Sequence, residues 1–328
     1  MTKTQILEQL FSVDDKKFTE LALAVFHYQY AHNKVYHQYV DLVQKDISTI
    51  QSITQIPFLP IQFFKSHRVL CEDSNESLPY FESSGTTGQV TSKHYIVDYA
   101  PYQSSFQNGF QHFFGDINDY VILGLLPSYL ERNHSSLVYM VNVLIEQSQH
   151  PLSGFYLHNH VELFKVLTQL EKEKKQALLF GVTFALLDFA EKHPIQLNSV
   201  KIIETGGMKG RREEMTRHEV HQLLAQSFST QSIYSEYGMT ELFSQAYSLS
   251  DGLFQSPAWM KILSRDLNNP LEVNNAGKGG INCIDLANIN SCAFIATEDM
   301  GEVYENGSFT IQGRIDHSEL RGCSLMAL

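Results

Sequence analysis

The chain has 328 residues, of which 43% are hydrophobic and 18% are charged, and this composition excludes a disordered, highly charged protein. Acidic residues outnumber basic ones 36 to 24, so the formal net charge is −12. A general nucleic-acid surface would oppose this charge, so we expect no nucleic-acid partner and only local binding of any phosphate ligand. The length allows one large domain or two.

The start of the chain is polar and lacks a basic region followed by an apolar run, so we expect no secretory signal. The longest apolar runs, such as 121–126, are too short to span a bilayer. We therefore predict a cytoplasmic protein without a membrane span. The cysteines are scattered, without zinc-site spacing, and are expected to be reduced thiols: Cys71, Cys283, Cys292 and Cys323. Each is more typical of a buried apolar residue than of a nucleophile, unless it is exposed.

Apolar and aromatic residues recur at helical intervals from Lys16 to about Asp46 and predict one long amphipathic helix or two. The run Ile56-Pro57-Phe58-Leu59-Pro60 then ends the helical region. We predict that residues 1–70 form a helical segment packed on the main domain.

Between Phe81 and the extended run at 94–97 lies the segment Ser83-Ser84-Gly85-Thr86-Thr87-Gly88. Its glycines tolerate positive φ, and its hydroxyl groups add donors, so the segment is suited to bind phosphate. It is not a Walker loop, because Gln89 and Val90 follow where Lys and Ser or Thr are required. Taken alone, a flexible surface linker explains the segment equally well.

Beyond this loop, short β-rich runs alternate with helical segments, which predicts an α/β layered fold. We predict strands at 120–125, 177–182, 200–204 and 232–237, and helices at 136–147, 161–175, 184–192 and 213–227. The cations between Lys201 and Arg217, which include Lys209, Arg211 and Arg212, are a local reserve of positive charge for a phosphate ligand, but a solvated helix face is the more typical interpretation. From about residue 252 the chain is expected to be rich in strands and turns.

Ligands of open α/β sheets bind at the carboxyl ends of the strands, so we expect the loops 83–88, 205–209 and 236–241 to converge. The last of them contains Tyr237-Gly238-Met239-Thr240-Glu241, in which Glu241 is suited to hold Mg²⁺. A glycine turn with Glu241 opening a following helix is an equally good interpretation. Two later motifs are Thr297-Glu298-Asp299 and Gly313-Arg314-Ile315-Asp316.

In this order, the motifs resemble those of the adenylate-forming superfamily, which contains acyl-CoA synthetases and firefly luciferase. The resemblance implies an α/β acyl-CoA synthetase-like large domain that uses ATP and Mg²⁺. It implies that the ATP phosphates are bound by Ser83, Ser84, Gly85, Thr86, Thr87 and Gly88.

The same resemblance implies that the adenine lies beside Tyr237 and Gly238, with Thr240 at the α-phosphate and Glu241 as the Mg²⁺ ligand. It further implies that Asp299 binds the ribose hydroxyls and that Arg314 contacts ribose or phosphate. Gly206 and Gly207 would line the adenine and acyl pocket.

Within that superfamily the chain resembles the LuxE family of acyl-protein synthetases, which are neighbours of the phenylacetate-CoA ligases. The likeness is carried by residues 56–65, by Glu204-Thr205-Gly206-Gly207-Met208-Lys209-Gly210-Arg211 and by Arg321-Gly322-Cys323. It implies activation of a carboxylic, typically fatty, acid as an acyl-adenylate, followed by transfer to a cysteine. Cys323 stands in the matching place, and the final acceptor would be an acyl reductase or another acyl-accepting protein.

Two departures accompany the likeness. Lys93 is displaced from the superfamily's Gly-x-Pro-Lys loop ending, and the sequence stops at Leu328, so we expect the C-terminal domain to be almost entirely absent. We predict an adenylate-forming core at 71–312, β-rich from about 252, and a hinge with a short tail at 313–328. The alternatives are a CoA ligase of the phenylacetate type and a nucleotide-binding relative without turnover.

Overall fold

The computed structural model describes residues 1–44, 46–71, 77–84, 90–127, 134–206, 215–231 and 233–315. Its α-helices are α1 (Lys3–Leu10), α2 (Asp15–His32), α3 (Lys34–Val43), α4 (Phe63–Ser66), α5 (Ala100–Phe114), α6 (Ser136–Ser148), α7 (His160–Glu173), α8 (Thr183–Lys192) and α9 (Arg217–Phe228). Its first strands are β1 (Leu59–Pro60), β2 (Tyr80–Glu82), β3 (Lys93–Tyr95), β4 (Val121–Leu125), β5 (Gly154–Phe155), β6 (Ala177–Val182), β7 (Val200–Thr205) and β8 (Tyr234–Tyr237). The later strands are β9 (Ala246–Ser248), β10 (Phe254–Gln255), β11 (Met260–Arg265), β12 (Val273–Asn274), β13 (Gly277–Asp285), β14 (Phe294–Val303) and β15 (Phe309–Arg314).

One half of the large sheet is parallel, with the strand order β5-β4-β6-β7-β8. Every residue of β4 and β6 is buried, which is typical of parallel strands covered on both faces. The predicted strands at 120–125, 177–182 and 200–204 and the predicted helices at 136–147, 161–175 and 184–192 are confirmed to within two residues at each end.

The other half is antiparallel and continues the sheet in the order β9-β10-β15-β14-β13-β11-β12. The change of direction occurs where β9 pairs with β8, with Ser248 opposite Ser235. The predicted strand-rich region is confirmed, although it begins at Ala246 rather than near residue 252. β15 runs to Arg314, two residues into the range predicted as a hinge.

The stretch from Lys16 to about Asp46, predicted as one helix or two, forms two, α2 and α3, because the backbone turns at Asn33, whose side chain caps α3. A side chain of α2, that of Gln29, forms hydrogen bonds with the loop between β13 and β14. The Gln29 amide donates to the carbonyl oxygens of Asn288, at 2.9 Å, and Ile289, at 3.2 Å. β1 also pairs with β14, so the N-terminal segment packs on the antiparallel half. The division of the chain into domains stays a prediction.

The interpretation of the cations at 201–217 as a solvated helix face is wrong at both of its ends. Lys201 lies in β7, where its amino group donates to the Tyr120 hydroxyl at 3.0 Å. Arg217 is half-buried at the first turn of α9, which begins four residues later than predicted because Thr216 and Glu219 form a capping box there. Lys209, Arg211 and Arg212 lie outside the described residues.

Within the described ranges, none of the helices combines the length and the apolar character that a membrane crossing requires.

Candidate active site

The hydroxyl-rich loop is the connection of a two-stranded hairpin formed by β2 and β3. Its base is closed by Ser83, whose N–H donates to the Ser92 carbonyl at 3.1 Å and whose Oγ accepts from the Ser92 N–H at 2.9 Å. The Thr91 hydroxyl donates to Glu82 at 2.6 Å just beside it. The two ends of the loop are therefore joined by hydrogen bonds between Ser83 and Ser92. Ser84 is exposed, while Gly85, Thr86, Thr87 and Gly88 lie outside the described residues.

Tyr237, the last residue of β8, connects the two halves of the sheet. Its ring packs against the rings of Phe254 and Phe309, at centroid distances of 5.9 and 5.5 Å. Its hydroxyl donates to Oδ2 of Asp299 on β14 at 2.8 Å. Burial raises the pKa of Tyr237 far above its ordinary value and also raises that of Asp299. The sequence-predicted adenine and ribose residues are therefore in direct contact.

Gly238 lies where the carboxyl group of Glu236 folds back over the chain. A methyl group at this position would collide with Oε1 of Glu236, so a side chain is excluded unless that carboxylate moves. The following residues lead through turns to β9, and no helix begins between 238 and 246. The interpretation of Glu241 as the opening residue of a helix is therefore wrong.

The Glu241 side chain is buried, with 5% of its surface exposed, beneath the β2–β3 hairpin. Burial raises the pKa of its carboxyl group, whereas a hydrogen bond from Ser92 and the charges of Arg314 and Lys65 act in the opposite direction. A divalent cation would stabilise the carboxylate in the same way. Among the described residues no group of three His, Cys, Asp or Glu side chains is arranged to hold a metal ion.

Arg314, on β15, faces Asp299 with its Nε 3.8 Å from Oδ1, and 82% of its side chain is exposed. Arg217 lies beside the same carboxylate: its guanidinium covers the ring of Phe254 at 4.8 Å, and its charge lowers the pKa of Asp299. Sequence reasoning missed Arg217, because its position in a charged stretch gave no sign that the side chain folds inward.

The carboxyl ends of β7 and β8 carry a second polar cluster. The Thr205 hydroxyl donates to Oε2 of Glu236, and the Thr183 hydroxyl donates to Glu204 and to the Gly206 carbonyl, the latter at 2.9 Å. Burial, with a smaller contribution from the charge of Glu204, raises the pKa of Glu236 to about 7. Gly206 is exposed and has φ +78°, a conformation that favours glycine, and Gly207 lies outside the described residues.

Residues of α4, the segment after it and the two hairpin strands line an open pocket of about 430 Å³. Three cationic side chains line it: Lys65, Arg68 and Lys93. Lys93 lies over the Tyr80 ring at 4.7 Å, which keeps it at the hairpin despite its displaced position in the sequence. Sequence reasoning noted Lys65 as part of a family-like segment but gave it no role, and its charge reaches Glu241.

The described cysteines, Cys71, Cys283 and Cys292, are all buried. Burial raises the pKa of Cys292 to about 12 and that of Cys283 still further, so neither is an effective nucleophile. Cys323, the predicted acyl acceptor, lies outside the described residues.

The family model of the LuxE acyl-protein synthetases matches residues 6–100. The long-chain-fatty-acid–luciferin-component ligase of Vibrio harveyi is 21% identical over 97% of this chain and 89% of its own length. The ligase of the same name from Photorhabdus luminescens is 33% identical over 24% of this chain and 66% of its own length. The resemblance to the LuxE family is confirmed.

Solved structures show which fold the chain has. ATP-bound MatB from Rhodopseudomonas palustris aligns with a TM-score of 0.54 and 15% identity, over 82% of this chain. An ATP-bound chimera of that protein, RpMatB-BxBclM, aligns with a TM-score of 0.55 over 74% of this chain. The chain spans about half of the length of each. The predicted adenylate-forming α/β fold is confirmed.

Proposed function

We propose that the chain is an ATP-dependent acyl-protein synthetase that activates a long-chain carboxylic acid. The acid's carboxylate oxygen attacks the α-phosphorus of ATP, the bond to the β-phosphate breaks, and pyrophosphate leaves. A thiolate then attacks the acyl carbon of the acyl-adenylate, AMP leaves, and a thioester forms. We choose a long-chain acid because the name of the Vibrio harveyi relative specifies a long-chain fatty acid.

One observation carries this proposal: Ser92 on the loop hairpin and Arg314 on β15 both act on the buried carboxyl group of Glu241, which follows β8. Attack of an anion on ATP requires fixed positive groups and donors around the developing charge. Arg314, Lys65 and Lys93 supply positive charge, and the hairpin loop supplies N–H and hydroxyl donors.

Mg²⁺ fits Glu241 because the buried carboxylate needs a counter-charge and because Mg²⁺ is usually held by one or two carboxylates together with substrate phosphates. When bound, the ion would neutralise charge on the phosphates. Tyr237 and Asp299 would hold the adenosine, with Asp299 accepting from the ribose hydroxyls while Tyr237 fixes its other oxygen.

We assign the acyl acceptor to Cys323, because Cys71, Cys283 and Cys292 are buried and because burial raises the pKa of Cys283 and Cys292. The acyl group would then pass to an acceptor protein. Mass spectrometry after incubation with ATP, Mg²⁺ and a mixture of fatty acids tests this assignment. We expect an added acyl mass that hydroxylamine removes, present in the wild type and absent in Cys323→Ser.

Two control reactions separate the outcomes. A stable, hydroxylamine-sensitive acyl group on Cys323→Ser would overturn the acceptor assignment but leave the activation step intact. Formation of acyl-CoA on addition of CoA, without a protein-bound acyl group, would identify a CoA ligase instead.

A further inference from the structure

Two consecutive backbone carbonyl groups in the Thr240–Glu241 segment are each held by a buried side chain. Nδ1 of His94 lies 2.8 Å from the Thr240 oxygen, and Nδ2 of Asn288 donates to the Glu241 oxygen at 2.8 Å. A carbonyl oxygen only accepts hydrogen bonds, so Nδ1 of His94 carries the proton.

His94 is fully buried, and burial lowers its pKa to about 4, so the ring is neutral at pH 7. It stacks on Phe243 at a centroid distance of 4.7 Å and meets the edge of Phe64 at 5.5 Å. Its Nε2 is buried and makes no hydrogen bond of ordinary geometry to a described residue, although the Asn288 side chain lies close enough to raise the pKa of the ring. An unpaired buried nitrogen is unfavourable, so an apolar ring would serve packing better than histidine does. Packing alone therefore does not explain this residue.

The position of His94 links two parts of the proposed site. It lies on β3, two residues after Ser92, which closes the loop base and hydrogen-bonds Glu241. The Asn288 side chain acts on both His94 and the Glu241 carbonyl, and the Asn288 carbonyl is held by Gln29. Two and three residues after Glu241, the N–H groups of Phe243 and Ser244 donate to Asp285 at 2.7 and 2.9 Å.

We infer that His94 is a positioning residue whose Nδ1–H group holds the Thr240 carbonyl and so fixes Thr240 and Glu241 against the phosphate loop. This inference rests on the proposed function for its catalytic consequence. His94 itself need not touch a substrate, because it acts through the backbone of the segment that does.

Two matched substitutions separate the hydrogen bond from packing. In His94→Asn, the side-chain Nδ2 takes the place of the histidine Nδ1 and keeps the donor. His94→Leu has nearly the same size and no donor. Both variants lose the stacking on Phe243, so the loss of packing is similar in the two. The buried amide oxygen makes His94→Asn the less stable of the two variants. In His94→Gln the donor moves to the position of Nε2.

The measurement is acid-dependent exchange of pyrophosphate into ATP, together with the melting temperature of each variant. We expect kcat of His94→Leu and His94→Gln to fall about tenfold below that of His94→Asn, with KM for ATP changed less than about threefold. The order of activity then opposes the order of stability. If activity instead follows the melting temperature, or if His94→Leu matches His94→Asn, the inference is overturned.

Hydrogen exchange at the amides of residues 240–244 provides a test that needs no activity. We expect exchange in His94→Leu to be about tenfold faster than in His94→Asn at these amides. Equal exchange in the two variants would overturn the positioning role. A wild-type protein that exchanges no pyrophosphate with any acid would overturn the proposed function alone, and this readout would still decide the role of His94.

Discussion

The parallel and antiparallel halves of the sheet make different contributions to one site. The parallel half brings Thr205, Glu236 and Tyr237 to the ends of its strands, where the fold exposes polar groups next to a buried interior. The antiparallel half supplies Asp299, which accepts a hydrogen bond from the Tyr237 hydroxyl, and Asp285, which accepts one from the Phe243 N–H group. Neither half has a complete set of groups, so the site depends on the junction between β8 and β9.

The largest effect is expected at that junction, from Glu241→Gln. The amide keeps the shape of the side chain but removes the negative charge that would bind Mg²⁺, so we expect pyrophosphate exchange to fall about a hundredfold or more. The melting temperature should not fall, since the substitution removes a buried charge. Exchange within about threefold of wild type would contradict the role of Glu241 as a metal ligand.

The second prediction concerns how the antiparallel half anchors the junction. The Asp285 carboxylate is fully buried and accepts from the Phe243, Ser244 and Ala287 N–H groups and from the Ser244 hydroxyl. In Asp285→Asn, the N–H groups of the new amide would face the N–H and O–H groups that now donate to the carboxylate. We expect this change to lower the free energy of unfolding by about 2 to 3 kcal/mol.

Urea denaturation measures this loss, and Asp266→Asn is the matched control in the same half. Asp266 also accepts from two N–H groups, those of Asn268 and Asn269, but in an exposed turn. We expect its loss to be below about 1 kcal/mol. Equal losses of unfolding free energy in the two variants would show that burial of the Asp285 carboxylate does not add to its contribution to stability.

A smaller effect is expected from the contact that bridges the halves. Tyr237→Phe removes the hydroxyl that fixes Asp299, so we expect KM for ATP to rise about tenfold, with a smaller change in kcat. Tyr36→Phe serves as a control, because it removes a buried hydrogen bond of the same kind, to the Pro57 carbonyl in the N-terminal segment. A rise in KM shared by both variants would indicate a general loss of stability instead.

The smallest effect concerns the pH dependence of the parallel half. The pKa of Glu236 is raised to about 7, so the folded protein binds this proton more tightly than the unfolded chain does. The free energy of unfolding should therefore decrease as pH rises from the ordinary glutamate range through about 7. Because Glu236 is partly exposed, we expect its share to be about 1 to 2 kcal/mol.

Urea denaturation at about pH 5.5 and about pH 8 tests this prediction. Glu236→Gln should lose less stability between these values than the wild type does, since the amide does not titrate. An identical change in both proteins would show that Glu236 titrates normally.

The sequence predicted the centre of the parallel half well because β4 and β6 are short runs without a polar side chain. Ala177–Val182 is buried along its whole length, and its bounds were predicted without error. The start of α9 was misplaced because the acidic pair before Thr216 continued the helical pattern, while the capping box three residues later was overlooked. Local patterns thus gave the elements, with errors at their ends.

Residues of the candidate site were proposed from the sequence only where a motif marked them. Tyr237 and Asp299 stood in separate motifs, and no spacing indicated that they touch, because the two residues are 62 positions apart. His94 and Asn288 belong to no motif, and their roles arise from contacts across the fold. One signal was present for His94: it alternates with Ser92 and Ile96 in an extended run, and all three are buried.

Acid-dependent exchange of labelled pyrophosphate into ATP tests the central claim most directly, because it requires both halves of the sheet to act on one nucleotide. We expect the wild type to exchange pyrophosphate into ATP in the presence of Mg²⁺ and a long-chain fatty acid, and not to do so without the acid. Absence of exchange with every acid tested, in a folded protein that binds ATP, would contradict it.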